Sequence, residues 1–166
     1  PGQDPVRIGP YAITERIAAG HVGTVYRATL DEAPGRHLAL KLLHPARLKS
    51  RNLRERLKRP ADALTDRPLP HVAPLADFSA EGDVVYTVYE FVDGPDLGRL
   101  TDRGGAVPPA SAVSYLCQLA EGLSHAMTLG LLHGDVRPGH FLMDRGELFI
   151  VGFQSSPTWR TAHRRP

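Results

Sequence analysis

Residues 108–151 limit what this chain can fold into more than any other stretch. A helical pattern there runs straight into a polar loop and then into a tight hairpin, so the loop is tethered at both ends. The helix opens after Pro108-Pro109, carries Val113, Leu116, Leu119, Leu123 and Met127 on one stripe, and stops at Gly130. The loop reads Leu132-His133-Gly134-Asp135-Val136-Arg137-Pro138-Gly139-His140-Phe141-Leu142. Phe141-Leu142-Met143 and Leu148-Phe149-Ile150-Val151 then flank Asp144-Arg145-Gly146 as two short strands about a turn. Asp135 is the only carboxylate in that loop, and it is the group such a scaffold would hold out.

Upstream the chain is rich in strands. Tyr11 to Ala18 and Gly23 to Leu30 are dominated by aliphatic and β-branched residues, with a glycine turn between them. His37 to Leu43 is an apolar run interrupted by Lys41, as expected of a buried strand. Val84 to Val92 is a further strand, closed by the turn signal Asp93-Gly94-Pro95. Arg51 to Thr65 has Leu53, Leu57 and Leu64 at helical spacing, but Pro60 lies inside it. Proline removes a hydrogen bond and clashes with the preceding turn, so the helix should start, kink or break there.

With 166 residues, 42% apolar and 23% charged, the chain has the composition of one soluble domain. Arg47, Lys49, Arg51, Arg54, Arg56, Lys58 and Arg59 crowd one segment, and Arg160, Arg164 and Arg165 lie near the end. No aromatic residues interleave with these charges, so a solvated face is expected and a nucleic-acid partner is not. Cys117 is the only cysteine, which rules out an internal disulfide; it is expected to be a small core residue of the long helix. No apolar run nears the roughly 20 residues that span a bilayer, and no signal peptide is visible, so a cytoplasmic setting is expected. The first residue is Pro1 rather than Met, as in a piece of a longer protein.

Gly20 and Gly23, three apart between two strands, would let backbone N–H groups approach phosphates with no side chain in the way. A plain hairpin turn explains them nearly as well. Lys41 strengthens the phosphate reading, because a lysine in an apolar strand is costly unless it meets an anion. The chain uses only three lysines, which makes the choice at position 41 more telling.

Taken together these residues resemble the bacterial eukaryotic-like (Hanks-type) protein Ser/Thr kinases. The likeness runs through Gly20 and Gly23 before Val25-Tyr26-Arg27-Ala28, Leu38-Ala39-Leu40-Lys41, and Tyr86-Thr87-Val88-Tyr89-Glu90-Phe91-Val92-Asp93-Gly94. It continues through Pro108-Pro109-Ala110, Gln118-Leu119-Ala120-Glu121-Gly122-Leu123 and the Asp135 loop. The resemblance implies an α+β fold, with an antiparallel small-lobe sheet carrying one helix, followed by the helical start of a truncated large lobe. It divides the chain into an extension (1–10), a small lobe with its hinge (11–93) and a partial large lobe (94–166) that stops before the activation segment. It places Gly20, Gly23, Val25, Ala39, Lys41, Glu90, Val92 and Leu142 around ATP. Asp135 becomes the proton acceptor, and Arg137 stands where the family has a lysine for the γ-phosphate.

The departures lie at the metal. His140 and Gly152 occupy the two positions at which the family holds magnesium, and Mg²⁺ prefers hard oxygen ligands. Ungapped alignment puts Pro60 where the partner glutamate of Lys41 belongs, and at about 100° per residue Glu55 and Asp62 point elsewhere. Ala18 replaces the first loop glycine, and Gly134 replaces the arginine before Asp135. The reading favoured is a pseudokinase, a regulatory module with a protein partner and weak, metal-independent ATP binding. Two alternatives stay open, an active atypical Ser/Thr kinase and a small-molecule phosphotransferase of the aminoglycoside or choline type.

Overall fold

The structure, a computed structural model, describes residues 4–47, 58, 61–65, 67–82 and 84–153. They fall into two compact units, Pro1–Asp66 with Pro74–Phe91, and Arg67–Ala73 with Val92–Pro166.

The first unit is a six-stranded antiparallel sheet in the order β1-β2-β3-β4-β6-β5. Its strands are β1 (Arg7–Ile8), β2 (Tyr11–Ala19), β3 (Gly23–Leu30), β4 (Ala33–Leu43), β5 (Leu75–Glu81) and β6 (Val84–Glu90). The expected strand 23–30 is reproduced, whereas β4 begins four residues before His37. The β3–β4 hairpin closes with Leu30 opposite Ala33, which draws 33–36 into the ladder. Strand β5 had no expectation, because Asp77 and Ser79 interrupt its apolar pattern. Asp77 is used by the fold nonetheless, accepting a 2.7 Å hydrogen bond from the Tyr11 hydroxyl.

One face of this sheet holds a core of Tyr11, Tyr26, Ala28, Leu38, Leu40, Tyr86 and Val88. Period-two alternation then assigns the intervening residues to the other face. Residues 61–65 form helix α1, in which Ala61 and Leu64 are buried and Asp62 is exposed, and Lys58 is also helical. Pro60, Glu55 and the expected helix start at Arg51 lie outside the described residues.

The second unit holds α2 (Leu97–Gly104), α3 (Pro109–Thr128) and the hairpin β7 (Phe141–Asp144) with β8 (Glu147–Ile150). Asp96 caps α2 by accepting from the Arg99 N–H at 3.0 Å. Pro109 sits at the first turn of α3, where its missing N–H costs nothing. Gly130 N–H to Met127 O and Leu131 N–H to Ala126 O end the helix in a Schellman motif. Residues 71–73 line up along β8, with Ala73 N–H on Ile150 O and Ile150 N–H on His71 O.

The expected stripe on α3 is not its buried side. Val113, Leu116 and Met127 are 61%, 63% and 60% exposed, and Cys117 is exposed rather than in the core. The helix packs instead through Gly122 and Ala126, its buried residues. A Cβ on Gly122 would come within 2.8 Å of the Ile150 side chain and 3.1 Å of the Pro70 carbonyl oxygen. Small residues let β8 and the 69–73 segment approach closely, and that approach settles which face is buried. Gln118 adds a polar tie, its side-chain oxygen accepting from Leu148 N–H at 2.7 Å.

Candidate functional site

The residues expected to act divide between the two units. In the first, the β2–β3 turn is closed by Gly20 N–H on Gly23 O at 3.0 Å. The Gly20 carbonyl accepts from His44 Nε2 at 3.1 Å, and His44 N–H donates to Val22 O. The two glycines have different reasons to be glycine. A Cβ on Gly23 would overlap the Leu42 carbonyl oxygen of β4, so strand packing alone demands glycine there. A Cβ on Gly20 would meet nothing nearer than 3.7 Å. The fold leaves that residue free to carry a side chain, and the chain has none there.

The register of β3, β4 and β6 puts Val25, Lys41 and Thr87 in one cross-strand row and Arg27, Ala39 and Tyr89 in the next. Residues paired in this way project to the same face. Val25, Ala39 and Lys41 therefore share the face opposite the aromatic core. Sequence reasoning missed two hydroxyls on that face. Thr87 Oγ1 and Tyr89 Oη are buried with no hydrogen-bond partner among the described residues, and burial pushes the Tyr89 phenol up. Glu90 is pinned to the start of β4, and its neighbour to β3. Arg36 grips the Glu90 carboxylate through Nε (3.3 Å to Oε2) and Nη2, while Arg27 stacks over the Phe91 ring at 4.3 Å.

The second unit builds the Asp135 loop. His133 is buried and ties the loop down at two points. Its Nε2 donates to Val151 O at 2.9 Å, and its Nδ1 accepts from Asp135 N–H at 3.2 Å. Phe153 packs edge-on against the same ring, with centroids 4.8 Å apart. A 3-10 turn at Pro138–His140 then brings His140 back toward Asp135. His140 Nδ1 donates to Asp135 O at 2.9 Å, and His140 Nε2 accepts from Arg137 Nη2 at 2.9 Å and from Nε at 3.2 Å. Arg137 Nε also lies 3.2 Å from Asp135 Oδ2, and His140 Nδ1 lies 3.5 Å from that oxygen. These contacts fix His140 as the neutral Nδ1–H tautomer. Burial, the largest cause, lowers its pKa, and the Arg137 charge works in the same direction.

Gly152 is buried with φ +93°, and a Cβ there would rest 3.5 Å from three atoms of the His140 ring. Leu142 lies on β7 opposite Phe149 and also bridges to Asp96. Val92 O accepts from Gly94 N–H at 3.1 Å. The Arg137–His140 contact had a signal in the sequence, since a Pro-Gly pair between residues three apart marks a turn that brings them together.

The family description "Protein kinase domain" matches residues 11–164. The chain belongs to the protein kinase family. It is 30% identical over 148 residues to the serine/threonine-protein kinase PknD of Mycobacterium tuberculosis, covering 89% of this chain and 22% of that protein. It is 32% identical to the serine/threonine-protein kinase PknH of Mycobacterium bovis, covering 87% of this chain and 24% of that protein. The chain thus spans about a quarter of the length of the curated relatives it matches. Among solved structures it resembles the PknI kinase domain of M. tuberculosis at a TM-score of 0.80 and 25% identity, covering 89% of this chain and 59% of that one. A more distant likeness is to Rad53 solved with AMP-PNP, at a TM-score of 0.76 and 22% identity, covering 87% of this chain and 38% of that one, which speaks for the fold alone. The expected α+β kinase fold and the Ser/Thr kinase relatives are thereby established.

Protein kinases imply magnesium, and at the two positions that the resemblance assigns to its ligands this chain has His140 and Gly152. Mg²⁺ takes an octahedron of hard oxygens. Both nitrogens of His140 are engaged, Gly152 brings no side-chain donor, and the Arg137 cation lies beside the Asp135 carboxylate. Among the described residues no group of three or more His, Cys, Asp or Glu side chains is placed to hold a metal ion.

Proposed function

We propose that this kinase-family chain is a pseudokinase, a regulatory module that binds a protein partner and holds ATP weakly and without need of magnesium. The observation that carries the reading is the set of contacts around His140. Its Nε2 receives Arg137 and its Nδ1 serves Asp135, so at the position of a metal ligand the chain has a side chain already in use. A bound metal contributes several kcal/mol to a phosphoryl-transfer transition state. At about 1.4 kcal/mol per factor of ten, its loss slows transfer by about a thousandfold or more.

Nucleotide binding is a separate matter, and the first unit supports it. Val25, Ala39 and Lys41 share one face, and Gly20 lacks a side chain for which the fold has room. In this reading Gly20, Gly23, Val25, Ala39, Lys41, Glu90, Val92 and Leu142 contact the nucleotide. The exposed Val113, Leu116 and Met127 support the protein-binding role, since apolar stripes of this kind mark contact surfaces. No helix among the described residues is long and apolar enough to cross a membrane, and we place the module in the cytoplasm.

The second reading, an active atypical Ser/Thr kinase, draws on Asp135, Arg137 and Lys41 all being retained. Two measurements separate the readings. The first is calorimetric unfolding with ATP, with and without Mg²⁺, where a ligand at about a hundred times its Kd stabilises by about 2.7 kcal/mol. The expected stabilisation is the same in both, and one that appears only with Mg²⁺ counts against the pseudokinase. The second is phosphate transfer to a generic basic protein, with Asp135→Ala as the blank. Transfer well above that blank establishes the active kinase instead.

A further inference from the structure

We propose that His44 is a positioning residue for the turn between β2 and β3, a side-chain donor that keeps a backbone donor available to a phosphate. The inference rests on the nucleotide-binding reading above and names a residue outside those assigned to the nucleotide.

In a hairpin with two residues in its turn, the residues on either side exchange two hydrogen bonds, one in each direction. Gly20 and Gly23 hold those places and make one of the two. Gly20 N–H donates to Gly23 O at 3.0 Å, but among the described residues the return bond from Gly23 N–H to Gly20 O is not formed. Gly20 O accepts from His44 Nε2 at 3.1 Å instead. A carbonyl can only accept, so Nε2 carries the proton. The imidazole supplies the donor that Gly23 would otherwise give.

His44 is held for this contact by its own backbone. It follows Leu43, the last residue of β4, and its N–H donates to Val22 O at 3.0 Å. One residue thus engages two carbonyls of the turn, at positions 20 and 22. The same bond makes the next pair, Gly23 with Leu43, a non-hydrogen-bonded one, so Gly23 N–H is not used by β4. The packing beneath is close, since a Cβ on Gly23 would overlap the Leu42 carbonyl oxygen.

Backbone polar groups need partners, and neighbouring ones take each other. Without the imidazole, Gly23 N–H and Gly20 O close the turn between themselves. With it, Gly20 O is satisfied from the β4 side, and Gly23 N–H keeps its capacity for a ligand oxygen. A bond from that N–H to a phosphate is charge-assisted, and so stronger than the neutral turn bond it replaces.

The test is titration calorimetry on the whole chain in excess EDTA, with ATP and with adenosine, for wild type, His44→Ala and His44→Gln. His44→Ala should weaken ATP binding about tenfold, the scale of one hydrogen bond to a charged group, and leave adenosine binding unchanged. His44→Gln keeps an N–H donor of similar reach and should recover most of that loss. Amide exchange followed by NMR reads the turn itself, without nucleotide. Gly23 N–H should exchange fast in wild type and about tenfold more slowly in His44→Ala, as it closes onto Gly20 O.

Unchanged ATP affinity in His44→Ala would overturn the proposal, as would a Gly23 N–H already protected in wild type. Equal losses for ATP and adenosine would make His44 a structural residue only, and overturn it too. No binding of ATP or adenosine to wild type would defeat the nucleotide reading and this role together, whereas normal binding that ignores His44→Ala defeats the role alone. Should His44→Ala fail to fold, the nitrogen-15 spectrum of wild-type His44 decides. An Nε2–H tautomer is expected, and an Nδ1–H tautomer would refute the contact.

Discussion

Replacing Gly152 separates backbone cost from metal chemistry at one of the two positions where the resemblance places a metal ligand. With φ at +93°, any L-residue placed there enters a left-handed backbone, at a cost of about 1–2 kcal/mol. Steric overlap adds little, because the new Cβ would sit 3.5 Å from the His140 ring, an ordinary van der Waals distance. For a chain of this size, 1 kcal/mol moves Tm by roughly 2–4 °C, so the loss should be about 2–8 °C. Gly152→Ala and Gly152→Asp should therefore lose similar amounts, and calorimetric scans in EDTA would measure both. Mg²⁺ is the discriminating addition. If Arg137 and His140 close the loop to metal, Mg²⁺ should raise the Tm of neither variant. A Tm that rises with Mg²⁺ for the Asp variant, and stays put for the Ala variant, would show that one added carboxylate suffices to assemble a metal site. That result would refute the donor-set argument and with it the metal-free account of the loop.

Gly23→Ala should be strongly destabilising, by about 2 kcal/mol or more, because its Cβ overlaps the Leu42 carbonyl and must part β3 from β4. Gly20→Ala should leave stability within about 0.5 kcal/mol and still weaken ATP binding, as urea unfolding and titration calorimetry would show. Tyr89→Phe deletes a buried hydroxyl with no hydrogen-bond partner in good geometry among the described residues, so stability should hold or rise by up to about 1 kcal/mol; a clear loss would reveal a bridging water or a bond to the neighbouring Thr87 hydroxyl. The folded pKa of His140 lies below its ordinary value, so in the acid range the unfolded chain takes up a proton that the folded one refuses. Its contribution is present above the unfolded pKa, about 6.5, and is lost as pH falls from there through the lower folded value. Urea unfolding at about pH 7.5 and about pH 5.5 should show that fall, and His140→Gln should flatten it.

How far the sequence could be read depended on whether neighbours or distant segments decided each element. Strands β2 and β3 carry long aliphatic and β-branched runs, and their own residues define them. Strand β5 has no such run, and becomes a strand because β6 pairs with it and Tyr11 satisfies Asp77. Helix α2 went unseen because its signal is one N-cap, Asp96, ahead of a short polar segment. The long helix was legible in extent and misread in orientation. Val113, Leu116 and Met127 point away from the packed side, which is chosen by Gly122 and Ala126, while Leu119 and Leu123 are half-buried. At the site, the identities of Asp135, Arg137, His140 and Gly152 were plain from their order along the chain. Their mutual contacts were not, because they follow from a 3-10 turn at Pro138–His140 and from a tautomer that two hydrogen bonds select.

The apolar stripe of α3 bears on how the folded state would look to common probes. Dyes that brighten on hydrophobic surface are usually read as reporting loosened packing, since expanded, molten states bind them. Here Val113, Leu116 and Met127 stand on a regular helix whose opposite side is closely packed. The native form itself should therefore light up such a dye, giving a high starting signal and a shallow or inverted melt. A partner that covers the stripe would quench that signal without any change in fold, which turns an apparent artefact into a direct optical test of whether the stripe is covered.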